Sequence, residues 1–172
     1  MNGAISIRPL EAGDIPAIAR AFAELGWRKP ASQYEAYLAE QARGERVMFV
    51  AFVGGEFAGY VTVWHRPHYP PFRAVGIPEI SDFNVLPKFR RRGIGSQLMD
   101  QAEAEIAQVS AEAGLGVGLT ADYGSAQRMY AKRGYIPDGR GVHYQHHPAA
   151  YGETVRVDDY LVLYLTKDLS RV

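Results

Sequence analysis

The chain has no cysteine among its 172 residues. That removes disulfides, thiolate zinc sites and a cysteine acyl-enzyme, and it is compatible with a reducing compartment. Net charge is also missing: Lys+Arg and Asp+Glu each total 19, and the sequence pI is near 7.0. Nothing global therefore draws the chain to nucleic acid or to an anionic membrane. No stretch approaches the roughly 20 apolar residues of a membrane span, and the opening MNGAISIRPLEAGD has no basic region followed by an apolar run. The expectation is a cytoplasmic protein with no nucleic-acid or membrane partner. His65, His68, His143, His146 and His147 lack the carboxylate pattern of a metal site, so no metal is expected. No repeat or linker interrupts the chain. With 47% of residues hydrophobic, it reads as one domain over residues 1–172 with a real core.

What the chain does have is a concentration of signals in Asp82–Met99, DFNVLPKFRRRGIGSQLM. Phe83, Val85 and Leu86 favour a strand, which Pro87 ends because it offers no ladder N–H and disfavours helix before it. From Ile94 the apolar residues fall at helical spacing, with Ile94, Leu98, Ala102, Ile106 and Val109 on one face. Gly93 and Gly95 sit at the junction. There the missing Cβ admits close approach, and the first helical N–H groups point outward with the positive end of the dipole behind them. Such a junction holds anions, and Arg90, Arg91 and Arg92 add fixed charge suited to a diphosphate and the 3′-phosphate of a coenzyme. An arginine run or a Gly-x-Gly alone reads as a solvated face or a chance spacing. Strand, proline, aromatic, Arg90-x-x-Gly93-x-Gly95 and an immediate long helix form a compound pattern.

Around this stretch, Ile5 and Ile7 alternate with polar residues before Pro9, as in a strand. Asp14 can cap a helix bearing Ile15, Ile18, Ala19, Phe22 and Leu25, with Gly26 at its end. A second helix runs from Pro30 or Ser32 to Gly44 through Tyr34 and Tyr37. Residues 47–52 and 57–64 pair as strands through a Gly54-Gly55 turn. Residues 65–79 carry four prolines and read as a loop, whose His65, His68, Tyr69 and Phe72 either line a pocket or fold down on the sheet. Glu79–Leu86 is the central strand, followed by the long helix to the Gly114 region and a short strand at Val117–Leu119. Ala126, Met129 and Tyr130 lie on a short helix that Gly134 ends. Tyr135 and Ile136 open another strand, and the tail from Pro137 is irregular and polar until Leu161, Leu163 and Leu165 form a last strand.

Arg90-x-x-Gly93-x-Gly95 resembles motif A of the GNAT superfamily of acyl-coenzyme-A-dependent N-acyltransferases, and Ala126-x-x-x-Tyr130-x-x-x-Gly134-Tyr135 resembles its motif B. In the family an Asn often stands three residues before that Ala, where this chain has Tyr123. The resemblance implies an α/β (α+β mixed) GNAT fold: a mixed, mostly antiparallel sheet of about seven strands flanked by about four helices, with splayed parallel strands 4 and 5. It implies acetyl-CoA as co-substrate and no metal. The pantetheine arm would lie along the main chain of Phe83, Asn84 and Val85. The diphosphate would rest on Arg90, Arg91, Arg92, Gly93, Ile94, Gly95 and Ser96.

The implied reaction is direct attack of an amine on the thioester. It needs a base, because an alkyl ammonium has a pKa of about 10.4, and an acid for a thiolate of about 8.5. Tyr130 is the expected acid. Glu79 is the first choice of base, with Asp82 in its place if a bulge turns it there, and His65 acting through water as the third. Trp27, His65 and Tyr69 are the expected acceptor-binding side chains. The acceptor is a small-molecule or peptide amine of open identity, and a homodimer is compatible with the family. The alternative reading is a GNAT-fold sensor that binds acyl-CoA without turnover.

Overall fold

The computed structural model describes residues 3–170. In order, its elements are β1 (Ile5–Pro9), α1 (Ile15–Glu24), α2 (Ala31–Ala42), β2 (Arg46–Val53), β3 (Glu56–Trp64), α3 (Pro70–Val75), β4 (Glu79–Val85), α4 (Ile94–Ala107), β5 (Glu112–Gly118), α5 (Gly124–Lys132), β6 (Ile136–Tyr144), β7 (His147–Pro148) and β8 (Leu161–Asp168). The chain forms two compact units, one of residues up to His65 with Ser81–Glu105, the other of Arg66–Ile80 with the residues from Ile106 onward.

In the first unit the strand order is β1-β2-β3-β4. β1 and β2 are antiparallel, with Ile7 opposite Ala51, and so are β2 and β3, with Val50 opposite Tyr60. β2 and β3 are buried along most of their length, as strands apolar on both faces require. Ile18 and Phe22 of α1, Tyr34 of α2 and Leu98 and Met99 of α4 are buried without exposure. A Cβ at Gly59 would collide with the Asn84 carbonyl oxygen, and the Leu86 N–H donates to the Ala58 carbonyl at 2.9 Å, so β3 and β4 approach closely because residue 59 is glycine.

In the second unit the order is β4-β5-β8-β6-β7. β4 and β5 are parallel, pairing Glu79 with Gly114 and Ile80 with Leu115, while β5–β8, β8–β6 and β6–β7 are antiparallel. Tyr69, Phe72, Ile77 and Tyr164 form a buried cluster, with the rings of Tyr69 and Tyr164 stacked at 3.5 Å and 5°.

The expected mixed, mostly antiparallel sheet with parallel fourth and fifth strands is present, with eight strands and five α-helices among the described residues. Four local expectations are corrected. α3 lies inside the expected loop: Pro70 and Pro71 occupy the first turn, where their missing N–H groups cost nothing, and Gly76 at φ 73° ends the helix. α4 stops at Ala107 instead of near Gly114, and Val109 is 67% exposed, off the buried face. The Ser110 hydroxyl bonds the Glu112 carbonyl and accepts from its N–H, which diverts the chain from helix, and β5 starts at Glu112 instead of Val117. The strand expected to open at Tyr135 and Ile136 is present as β6 but runs on to Tyr144, and with the two-residue β7 it occupies part of the tail expected to be irregular, where Gly139 and Gly141 at positive φ obscure the strand pattern.

Candidate active site

The turn between β4 and α4 has the form its residues dictate. Pro87–Phe89 make one 3-10 turn, Arg91 and Gly93 take φ of 60° and 78°, and α4 begins at Ile94. The Gly93 carbonyl accepts the Gln97 N–H at 3.1 Å. Gly93 is therefore the cap, and the amides of the first turn have no carbonyl ahead of them within the helix. A Cβ at Gly93 would meet nothing within 4 Å, so the space before the helix start is open. Arg90, Arg91, Arg92, Gly93 and Ser96 are exposed, whereas Ile94 as a whole is 1% exposed and packs into the core. Arg90 Nε donates to the Val85 carbonyl at 3.0 Å, and the Arg92 guanidinium lies over the Phe89 ring at 5.6 Å. Backbone donors, open space and guanidinium groups fit the diphosphate of a coenzyme.

Three residues before the end of β4, at Asp82, the backbone breaks its alternation. Thr62 and Tyr60 stand two apart on β3 and share a face. Thr62 Oγ1 meets Ser81 Oγ at 3.0 Å and donates to the Ser81 carbonyl at 2.7 Å, while the Tyr60 hydroxyl reaches Asp82. Consecutive β4 side chains thus turn to one side, which Asp82 achieves with φ 42°. Asp tolerates this left-handed conformation better than most residues.

The Asp82 carboxylate gathers five donors. Oδ1 accepts from Lys29 Nζ at 2.7 Å and Asn84 Nδ2 at 3.0 Å. Oδ2 accepts from the hydroxyls of Tyr60 at 2.6 Å and Tyr37 at 2.9 Å and from Gln33 Nε2 at 2.9 Å. Lys29 also donates to the Tyr60 hydroxyl at 2.8 Å. Gln33 and Tyr37 are one helical turn apart on α2 and so face the same way. Behind Tyr37, the Arg46 guanidinium is sandwiched between the rings of Tyr37 at 4.2 Å and Trp64 at 4.0 Å, and is paired with Glu40 at 2.6 Å. Burial, reinforced by the Asp82 charge, pushes both the Tyr37 and Tyr60 hydroxyls well up, so both remain proton donors. Of these residues the sequence reading singled out Asp82 and Asn84. Lys29, Gln33, Tyr37 and Tyr60 carry no site signal, because a lone lysine before Pro30 and a tyrosine on an amphipathic helix are ordinary.

The other candidates are placed as follows. Trp27 stacks on Phe22 at 5.7 Å and is 37% exposed. His65 Nε2 lies 3.5 Å from Glu105 Oε1. Phe83 is half-buried on β4. In the second unit, Tyr69 is fully buried, and its hydroxyl donates to Asp138 at 2.7 Å. It sits in the packed core, because Phe72 and Tyr164 cover its ring. Glu79 opens β4 half-buried, facing Tyr164 closely enough for its charge to add to the burial that raises that hydroxyl. Tyr130 is 7% exposed on α5 beside Tyr135, and burial holds its hydroxyl well above the usual tyrosine value. Tyr123 covers Gly118, where a Cβ would come within 2.5 Å of the ring, and its hydroxyl donates to Asp159 at 3.0 Å. Among the described residues no group of three or more His, Asp or Glu side chains could hold a metal, and no helix is long and apolar enough to cross a membrane.

These strands and helices define an α/β fold of the acetyltransferase kind, and solved structures share it. One is yncA from Salmonella typhimurium, solved with its cofactor acetyl-CoA, at TM-score 0.69 and 19% identity, covering 99% of this chain and 96% of that one. Another is a ribosomal-protein-alanine N-acetyltransferase from Brucella melitensis, at 0.69 and 19%, covering 95% and 99%. A third is a spermidine N-acetyltransferase SpeG chimera from Vibrio cholerae and hSSAT, at 0.68 and 15%, covering 97% and 96%. The model of the acetyltransferase (GNAT) family matches residues 15–135, so the chain belongs to that family. Among curated proteins none matches.

Proposed function

We propose that this single GNAT domain transfers the acetyl group of acetyl-CoA to a primary amine by direct attack in a ternary complex. The observation that carries the reading is the Gly93-capped start of α4 beside Arg90–Arg92, at the end of a strand whose kink turns Asp82 to one side. The first-turn amides from Arg91 to Ser96 would hold the diphosphate, and the main chain of Phe83, Asn84 and Val85 the pantetheine arm. When bound, acetyl-CoA supplies the activated acyl carbon.

Asp82, which the kink in β4 turns to one side, takes the place expected for Glu79: it seats the acceptor's ammonium in exchange for one of its present donors and removes the amine proton. The amine nitrogen would then bond the acyl carbon as the C–S bond breaks, the departing thiolate would take a proton from Tyr130, and the second proton shed by the nitrogen as it becomes an amide would restore the Tyr130 hydroxyl, while the proton held by the base passes to solvent. The role of Tyr130 rests on motif B and on a hydroxyl that burial keeps protonated. The protein would work in the cytoplasm on a small-molecule or peptide amine, without metal.

Calorimetry with acetyl-CoA, paired with thiol release across a panel of amines, tests the proposal. Binding with amine-dependent release is expected. Binding without release from any amine would instead mark an acyl-CoA sensor, and no binding would end both readings.

A further inference from the structure

The Asp82 network is electrically closed. Asp82 and Lys29 are its one anion and one cation, 2.7 Å apart, and the neighbouring Arg46 is already matched by Glu40. Yet the pair is not sealed, since the two side chains keep 19% and 20% of their exposure. An ammonium that takes Asp82 must displace Lys29. A simple amine or a polyamine would leave the lysine cation without its counter-ion in a partly desolvated site, and a polyamine would add like charge beside it.

Building on the acetyl-transfer reading above, we propose that the acceptor is a zwitterion, a free α-amino acid with an uncharged side chain, whose ammonium replaces Lys29 on Asp82 while its carboxylate takes Lys29. One internal ion pair is exchanged for two intermolecular ones, and no charge is stranded. The parts are suited to the exchange. Tyr37, Tyr60 and Gln33 still hold the second Asp82 oxygen, so the carboxylate keeps its orientation when Lys29 leaves. Lysine has a flexible four-carbon stem and a compact charge, so its ammonium can move aside without moving the chain. Trp27 and the Lys29 ammonium both pack on the Phe22 ring, at 5.7 and 5.6 Å, so a partly exposed indole and the cation that would hold the acceptor's carboxylate share one aromatic support. An apolar or aromatic amino-acid side chain can lie against that indole.

The test measures thiol release from acetyl-CoA with phenylalanine, leucine and methionine, each beside its methyl ester and its decarboxylated amine. For at least one of the three, kcat/KM for the free amino acid should exceed that of both analogues at least tenfold. In Lys29→Met that preference should vanish, the amino-acid value falling at least tenfold and the decarboxylated amine holding or improving. Because the variant may fold poorly, wild-type melting is read alongside: the amino acid should raise the midpoint and its ester should not.

Equal or better rates with ester or amine on the wild type overturn the inference while leaving acetyl transfer standing. So does acetyl-CoA binding with no amino acid bound or turned over. Failure to bind acetyl-CoA at all would instead remove the reading beneath it.

Discussion

At the scale of single residues, Asp82 meets two demands, one on its backbone and one on its carboxylate. Its φ of 42° lies where a Cβ is strained, and five donors converge on its oxygens. Asp82→Asn keeps a side chain tolerant of that conformation, whereas Asp82→Ala does not, so the alanine variant should unfold about 1 kcal/mol more readily in urea than the asparagine variant. Equal stabilities would show that the kink relaxes once the carboxylate is gone. Tyr130 makes a different demand. Tyr130→Phe removes one hydroxyl from a buried ring, and it should lower kcat by about a hundredfold or more while leaving the acetyl-CoA dissociation constant within about twofold. A parallel loss of coenzyme binding would make the residue a packing element.

Elements impose rules that no residue carries alone. The start of α4 is a positive pole, and that pole makes one substitution diagnostic. Ser96→Glu places a carboxylate in the first turn, where it favours the helix by about 0.5 kcal/mol but repels a diphosphate. The variant should melt no lower than wild type and bind acetyl-CoA at least about tenfold more weakly, roughly 1.4 kcal/mol. Unchanged affinity would take the coenzyme away from this turn. The β3–β4 contact gives a stability test. Because a Cβ at Gly59 would run into the backbone carbonyl of Asn84, which cannot swing aside as a side chain can, Gly59→Ala should cost about 2–3 kcal/mol in denaturant unfolding.

For the whole molecule the balance of charge is the first fact, and acid is the condition that upsets it. Burial alone would raise the pKa of Asp14, but two bonds from Arg8, at 2.8 and 2.7 Å, and the Glu11 N–H at 2.9 Å outweigh it and hold the carboxyl below the usual range. A carboxyl depressed on folding stabilises the fold above its unfolded pKa, near 3.9, and that contribution is lost as pH falls toward the folded value. Asp14→Asn should therefore be less stable than wild type at neutral pH, by about 0.5–1 kcal/mol because Arg8 is over one-third exposed. The two melting curves should converge below about pH 4. Residues 82–99 were legible because strand, proline, glycine turn and helix are signals within a few residues of one another, set by local sterics and the helix dipole. α3 was not, since its two prolines read as breakers until their place in the first turn is seen. The partners of Asp82 were not legible either: Lys29 is 53 residues away in sequence and Tyr60 is 22. The sequence by itself determined the strand, the basic glycine turn and the helix start that follow one another in residues 82–99. Only the tertiary structure decided which side chains surround Asp82, because α2, β3 and a kink in β4 must pack before those groups meet.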